Sequence, residues 1–319
     1  MKKAAAAQAG SLRHKDLLGL QHMSPGEISL LLESAVAFKE IISRSVKRVP
    51  ALRGKTVVNL FFENSTRTRT SFELAARRLS ADVINFDVAT SSVHKGESLL
   101  DTVENIEALG ADYIVMRHSS SGAHEYLGER TAASIINAGD GSHEHPTQAL
   151  LDMFTMIESG KKLKGLRVAI VGDILHSRVA RSNIRGLKKM GAHVVLVGPP
   201  TLVPDAFEDF GVAIRRDLRS GLKDCDVIYL LRIQLERQSK NLFPSVKEYK
   251  MLYGIDDDRL HYAKPDALLM HPGPVNIGVE VTRSVLLHPR CVVLPQVTNG
   301  VAVRMAVLYL LQGGGADHG

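Results

Sequence analysis

Residues Asn59 to Leu79 read N-L-F-F-E-N-S-T-R-T-R-T-S-F-E-L-A-A-R-R-L, and the reading of this stretch decides the fold. Thr56 to Phe62 is apolar and rich in β-branched and aromatic residues, the make-up of a buried strand, while Phe72, Ala75, Ala76 and Leu79 recur at helical spacing. The turn between them is Glu63 to Thr66. The first N–H groups of a helix lack partners within it, so a strand–turn–helix junction of this kind offers an anion oriented donors and the positive end of the helix dipole. Ser65, Thr66 and Thr68 add hydroxyls, and Arg67 adds a rigid fork of donors. Helix capping accounts for Ser65 or Thr66 taken singly. It does not account for two arginines in the first turn, which oppose the dipole unless an anion joins them. The phosphate-loop pattern G-x-x-x-x-G-K-[ST] is absent, which favours a smaller phosphorylated ligand over a nucleoside triphosphate.

Composition narrows the class around this junction. At 319 residues the chain is long enough for two domains of ordinary size, and a 45% hydrophobic fraction is that of a globular protein. Forty basic against thirty-four acidic residues give +6, an excess that suits small anionic substrates. Aromatics are only 5%, Trp is absent and no basic tract is interleaved with aromatics, so no platform for stacking nucleic-acid bases is expected. Cys225 and Cys291 both lie in apolar runs and are expected to be buried, reduced thiols. The N-terminal M-K-K-A-A-A-A-Q-A-G lacks the apolar core of a secretion signal, and no run is expected to span a bilayer, so a cytoplasmic location is the expectation.

Residues 1 to 15 read as a loose arm. Ser24-Pro25-Gly26-Glu27 then forms a capping box with Pro at the first helical position, and Ile28, Leu31, Leu32, Ala35, Phe38 and Ile42 trace one helix face. Apolar runs follow at Val83–Phe86, Tyr113–Met116 and Ser134–Asn137, in β-α alternation. A second series starts at Arg167–Gly172 and continues at Val194–Val197, Val212–Ile214, Val227–Leu231 and Ala267–Met270. Helices at Pro146 to about Ser159 and at Gln296–Leu311 join the two series. The expected fold is α/β, with two doubly wound parallel-sheet domains. The first covers 1–149 and is completed by a C-terminal helix at 295–319; the second covers 150–294.

Polar clusters follow strand after strand. Ser65 to Arg69 follow the first; Arg117-His118 follow Y-I-V-M; His145-Pro-Thr-Gln148 follow I-I-N; Arg178 follows V-A-I-V-G; Arg232-Ile-Gln234 follow V-I-Y-L-L; His271-Pro-Gly-Pro274 follow A-L-L-M. Open parallel sheets bind ligands beyond the carboxyl ends of their strands, so the clusters are expected to converge between the domains.

Taken together, S-T-R-T-R, M-R-H, H-P-T-Q, G-D-I-L-H-S-R-V-A-R-S, R-I-Q and H-P-G-P, in that order, resemble the motif set of aspartate carbamoyltransferase catalytic chains from about Leu17 to Leu311. S-T-R-T-R alone marks only the wider carbamoyltransferase superfamily. The resemblance implies condensation of carbamoyl phosphate with L-aspartate to N-carbamoyl-L-aspartate and phosphate, an early step of pyrimidine biosynthesis, without metal or organic cofactor. It assigns the phosphate to Ser65, Thr66, Arg67, Thr68 and Arg117, and directs Thr68, Arg117 and His145 at the carbonyl oxygen. Gln148, with the backbone carbonyls of Pro272 and Gly273, would hold the carbamoyl amide. Ser91 and Lys95, in A-T-S-S-V-H-K-G-E, resemble a loop that reaches into a neighbouring subunit's site, which implies a homotrimer with shared sites. Arg178, Arg232 and Gln234 match the aspartate contacts, Lys95 also serving there.

The chemistry of the residues agrees. A dianionic leaving group, a carbonyl to polarise and an amine to hold in line require donors and cations in this pattern. The two carboxylates of aspartate require bidentate cationic partners. An ornithine acceptor would instead need an acidic site, whereas Leu231 to Gln238 carries Arg232 and Arg237 against one Glu236. The departing phosphate can accept the amine's proton, and His145 is read as a hydrogen-bond donor to the carbonyl. His143-Glu144-His145 lacks H-E-x-x-H spacing and precedes Pro146, which disfavours zinc. G-D-I-L-H-S lacks the G-x-G-x-x-G of a dinucleotide fold. Ile277 stands where many bacterial relatives carry Arg after P-x-N. A non-catalytic carbamoyltransferase-like scaffold is the competing reading, disfavoured by the joint presence of these residues. For higher assembly, the resemblance points first to dihydroorotase or a dihydroorotase-like chain, ahead of separate regulatory chains or a bare trimer.

Overall fold

The computed structural model describes residues 12–86, 97–233 and 245–312, and the chain divides into two compact units, Met1–Gly141 with Gly300–Gly319, and Ser142–Asn299. Ser91, Lys95 and Gln234 lie outside the described residues.

In the first unit the elements run α1 (Pro25–Ser43), β1 (Thr56–Phe61), α2 (Thr66–Arg78), β2 (Asp82–Phe86), α3 (Leu99–Ala108), β3 (Tyr113–His118), α4 (Ala123–Gly128) and β4 (Ser134–Asp140). All strand pairs are parallel, in the order β2-β1-β3-β4. The inner strands are apolar because helices cover both faces of a parallel sheet, and β1 is buried from Val57 to Leu60. The polar exception, Asn59, is matched across the ladder: its Nδ2 donates to Asn85 Oδ1 at 3.0 Å, and Asn85 Nδ2 donates to Glu73 Oε2 of α2 at 3.0 Å.

The capping box at Ser24 forms as expected, Ser24 Oγ accepting from Glu27 N while Ser24 N donates to Glu27 Oε2 at 2.9 Å. Glu27 also corrects the expectation of a loose arm through residue 15. Its Oε1 accepts from Arg13 N at 3.2 Å, Leu12 is buried, and Leu17 bridges to Ile136 of β4.

The second unit contains α5 (Pro146–Glu158), β5 (Arg167–Val171), α6 (Arg178–Lys189), β6 (His193–Val197), a 3-10 turn at Asp205–Phe210, β7 (Ala213–Arg215), α7 (Leu218–Leu222), β8 (Val227–Leu230), α8 (Val246–Tyr253), α9 (Asp257–Leu260), β9 (Leu268–Met270) and α10 (Arg283–Leu286). Its sheet is also parallel, in the order β7-β6-β5-β8-β9. Both sheets are therefore doubly wound, with strand order reversing between β1 and β3 in one and between β5 and β8 in the other.

The last helix, α11 (Val293–Leu311), starts in the second unit and ends in the first. Its later part is pinned there: Tyr309 meets Phe38 edge-on at 5.6 Å, Arg304 Nη1 donates to Ser71 Oγ at 2.9 Å, and the Arg304 guanidinium lies 5.0 Å from the centre of the Phe72 ring. By length and composition this helix passes the test for a bilayer span, contrary to the expectation that no run would. Most of its apolar window is nonetheless buried inside the protein, as in a core helix. Cys225 is buried as expected and burial pushes its thiol up to about 11; Cys291, expected to be buried, is only half-buried.

Candidate active site

In the first unit the polar residues collect where strand order reverses. Ser65 takes the backbone position of the α2 N-cap, yet its side chain makes no capping bond. Its Oγ instead accepts from Arg117 Nη1 at 3.3 Å, and Arg117 Nε is held by Glu63 Oε2 at 3.2 Å. Arg117 sits where the β3–β4 register shifts, between Met116 and His118, and such a shift re-aims a side chain at a strand end. Behind it His118 packs edge-on against Phe62 at 4.9 Å, and its Nδ1 accepts from Ser120 N at 3.0 Å. Burial is the main cause that lowers the affinity of the His118 ring for a proton. Thr68 is buried, whereas Thr66, Arg67 and Arg69 are exposed, and no acid occupies the first turn of α2. The result is a half-open cluster of hydroxyls, guanidinium groups and helix N–H groups suited to an oxyanion.

The second unit supplies the H-P-T-Q stretch. His145 stands at the N-cap of α5 with Pro146 next, and its N–H donates to Ser182 Oγ at 2.8 Å. Ser182 Oγ donates to Glu144 Oε2 at 2.6 Å, and Arg185 Nη1 donates to Glu144 Oε1 at 2.7 Å, so a fully buried carboxylate ties the start of α5 to α6. One turn into α5, Gln148 Nε2 donates to Asp152 Oδ1 at 2.9 Å. Asp152 also accepts from Gln296 Nε2 at 2.8 Å, Asn183 Nδ2 at 2.8 Å and Tyr229 Oη at 2.6 Å. Complete burial raises its carboxyl to about 6 despite these donors, and burial, followed by the Asp152 charge, pushes the Tyr229 phenol well above its usual range.

Arg178 opens α6 and is buried, behind a Ser177 cap whose Oγ accepts from Ala180 N at 3.1 Å. Arg232 follows β8, the strand beside β5, and is half-buried. The two strand ends approach closely at Gly172 (φ +127°), where an added Cβ would lie 3.0 Å from the Leu231 carbonyl oxygen. The loop carrying Arg232 is fixed by Glu280, whose Oε1 accepts from Ile233 N at 2.9 Å and Asn276 Nδ2 at 2.8 Å, and whose Oε2 accepts from Asn276 N at 2.8 Å. Burial raises the Glu280 carboxyl above its ordinary value. Ile277 beside this clamp is half exposed, at 50%. Pro272 and Gly273 follow β9; Gly273 N donates to His271 Nδ1 at 2.8 Å, and His271 N donates to Gln296 Oε1 at 3.0 Å.

The structure thus joins Ser65 directly to Arg117, and Gln148 to the His271 turn through Asp152 and Gln296. It places Arg178 at the start of α6, the helix that follows β5, and Arg232 just beyond the adjacent strand β8. Sequence reasoning missed Glu144, Asp152 and Glu280. The available signal was Asp152 one turn beyond Gln148 in a mostly apolar helix, a charge that stays buried only when donors meet it.

Residues 15–158 match the family model described as aspartate/ornithine carbamoyltransferase, carbamoyl-P binding domain, and residues 164–311 match the Asp/Orn binding domain of the same family. The aspartate carbamoyltransferase catalytic subunit of Endomicrobium trichonymphae is 58% identical over 95% of this chain and 97% of its own length. That of Geobacter sulfurreducens is 58% identical over the same shares. Among solved structures, Trypanosoma cruzi aspartate transcarbamoylase with carbamoyl phosphate and aspartate is similar with a TM-score of 0.84 at 32% identity, covering 93% of this chain and 97% of that one. Pyrococcus furiosus ornithine carbamoyltransferase gives 0.84 at 31% identity, covering 96% and 99%.

Proposed function

The chain belongs to the aspartate/ornithine carbamoyltransferase family, and from that premise we propose how its residues divide the work of an aspartate carbamoyltransferase. The enzyme condenses carbamoyl phosphate with L-aspartate to give N-carbamoyl-L-aspartate and phosphate. Ser65, Thr66, Arg67, Thr68 and Arg117 bind the phosphate of carbamoyl phosphate. Thr68, Arg117 and His145 donate to its carbonyl oxygen, where charge builds as the amine attacks; Gln148 and the carbonyls of Pro272 and Gly273 hold the carbamoyl amide. Arg178 and Arg232, with Gln234, take the two carboxylates of aspartate. The departing phosphate removes the amine proton, so no separate base is needed. Residues 1–149, completed by the C-terminal helix at 295–319, are accordingly the carbamoyl phosphate domain, and residues 150–294 the aspartate domain.

The observation that carries this reading is the Ser65–Arg117 contact. A hydroxyl at a helix N-cap faces a guanidinium instead of capping, which sets a hydroxyl and a cation side by side at the positive end of the α2 dipole. Ser91 and Lys95 complete the site from a neighbouring subunit of a homotrimer, and a dihydroorotase or dihydroorotase-like chain is the further partner, in the cytoplasm. Sedimentation of the purified chain tests the trimer, and co-purification from the native source tests the partner.

The activity is tested by ureido product formation from carbamoyl phosphate with L-aspartate and L-ornithine run side by side. Turnover with aspartate alone is expected; turnover with ornithine alone would overturn the assignment of Arg178 and Arg232, and none with either would favour a scaffold role.

A further inference from the structure

Gln148 is an amide, and either of its ends could face a ligand. An amide's oxygen and nitrogen are told apart by their partners, and here the partner decides. Gln148 Nε2 lies 2.9 Å from Asp152 Oδ1, an ionised carboxylate only accepts, and the end of Gln148 that faces it must therefore be the NH2. Asp152 is held in that role by its other contacts. Gln296 donates to the same oxygen, and Asn183 and Tyr229 donate to the other. Each neighbour is a donor, all are buried, and rotation of the Gln148 amide would place its oxygen against Oδ1, acceptor on acceptor. Gln148 and Asp152 are one turn apart on α5, so the helix itself keeps the pair in reach.

We propose that Asp152 is a positioning residue that locks the Gln148 amide with its carbonyl oxygen outward, so that the site accepts hydrogen bonds from an NH2 group and thereby distinguishes a carbamoyl phosphate from other phosphates. The proposal rests on the reading of Gln148 as a carbamoyl contact. The same carboxylate extends through Gln296 to the His271 N–H, so the turn carrying Pro272 and Gly273, whose carbonyls are the other acceptors for that NH2, is set by the same group. One buried anion thus orients acceptors on two separate segments of the second unit toward one donor chemistry.

The test compares binding of carbamoyl phosphate and of inorganic phosphate to the full-length chain by titration calorimetry, with steady-state kinetics alongside. Asp152→Asn supplies a donor as well as an acceptor and frees the Gln148 amide to turn. It is expected to weaken carbamoyl phosphate roughly tenfold, the loss of about one hydrogen bond, while inorganic phosphate stays within about twofold. In a Gln148→Ala background the same substitution should have no further selective effect.

Equal weakening of both ligands by Asp152→Asn, or a selective effect that persists without Gln148, would overturn the proposal. If Gln148→Ala weakens carbamoyl phosphate and Asp152→Asn does not, the locking role fails and the reading of Gln148 stands. If Gln148→Ala leaves carbamoyl phosphate binding unchanged, that reading itself fails. Should the Asp152→Asn chain not fold, Asp152→Glu decides, since it keeps the carboxylate but shifts it by one methylene: a selective loss of carbamoyl phosphate that the Gln148→Ala background abolishes supports the lock, and equal weakening of both ligands removes it.

Discussion

Arg117, at the end of β3, donates to the hydroxyl of Ser65, the residue that opens α2, while Glu63 holds the same guanidinium through Nε. The cation is thus placed beside the helix N-terminus, and its planar fork is oriented by two partners of the protein itself. Catalysis by a prearranged group of this kind loses little to reorganisation.

Replacement of Arg117 by Ala is expected to lower kcat about 10²- to 10³-fold in the ureido product assay. Arg117→Lys should recover little, because a point charge cannot reach Glu63 and Ser65 together as the fork does. Recovery to near the parent rate would show that only charge matters at this position.

Arg232→Ala is expected to act on the acceptor. Loss of a charge-assisted contact to a carboxylate costs about 2 kcal/mol or more, which lowers kcat/KM for aspartate at least about 30-fold. Carbamoyl phosphate binding measured without aspartate should change less than about twofold. A comparable loss of carbamoyl phosphate affinity would place Arg232 in the wrong role.

Glu280→Ala removes the acceptor shared by Ile233 N and Asn276 and leaves buried donors unmet, at a cost of about 1–3 kcal/mol. The melting temperature should fall, and KM for aspartate should rise through Arg232, the neighbour of Ile233. A lower melting temperature with unchanged aspartate KM would limit Glu280 to stability.

Asp152 gives the protein a pH term of opposite sign to that of a salt-bridged carboxylate. Its folded value of about 6 lies above the unfolded value of 3.8, so between them the folded state binds more protons. The contribution is fully present below the unfolded value and is lost as pH rises through about 6. The stability difference between the parent chain and Asp152→Asn, followed by thermal unfolding, should favour the parent more at pH 4.5 than at pH 7; the reverse trend would mean that Asp152 is held ionised throughout.

The strands and long helices were legible because their cause is local. The apolar run of β1, the Ser24 box of α1 and the spacing of Phe72, Ala75 and Ala76 in α2 are properties of neighbouring residues. Asp152 was illegible for the opposite reason: two of its partners, Tyr229 and Gln296, lie 77 and 144 positions away, so the chain near it reads only as a charge inside an apolar helix. Leu12 illustrates the same limit at the arm, since nothing beside it announces that Glu27 will bind the next residue's N–H. Ser65 lies between these cases. Its place at a helix start was evident, but whether its hydroxyl would cap the helix or meet Arg117 depended on a strand 52 residues on.

Because the chain leaves the first unit after Gly141 and returns at Gly300, that unit is discontinuous, and α11 re-enters it only at the end of the described chain. During synthesis Ser142–Asn299 emerges as an uninterrupted piece, whereas the contacts of Arg304 with Ser71 and of Tyr309 with Phe38 wait for the last turns of α11. The part of the first unit made before Ser142–Asn299 is thus closed over only after that piece has been made, with the faces of α1 and α2 that await α11 left uncovered in the nascent chain. A truncation just before Arg304 would accordingly wound the N-terminal half of the protein more than the segment it directly follows.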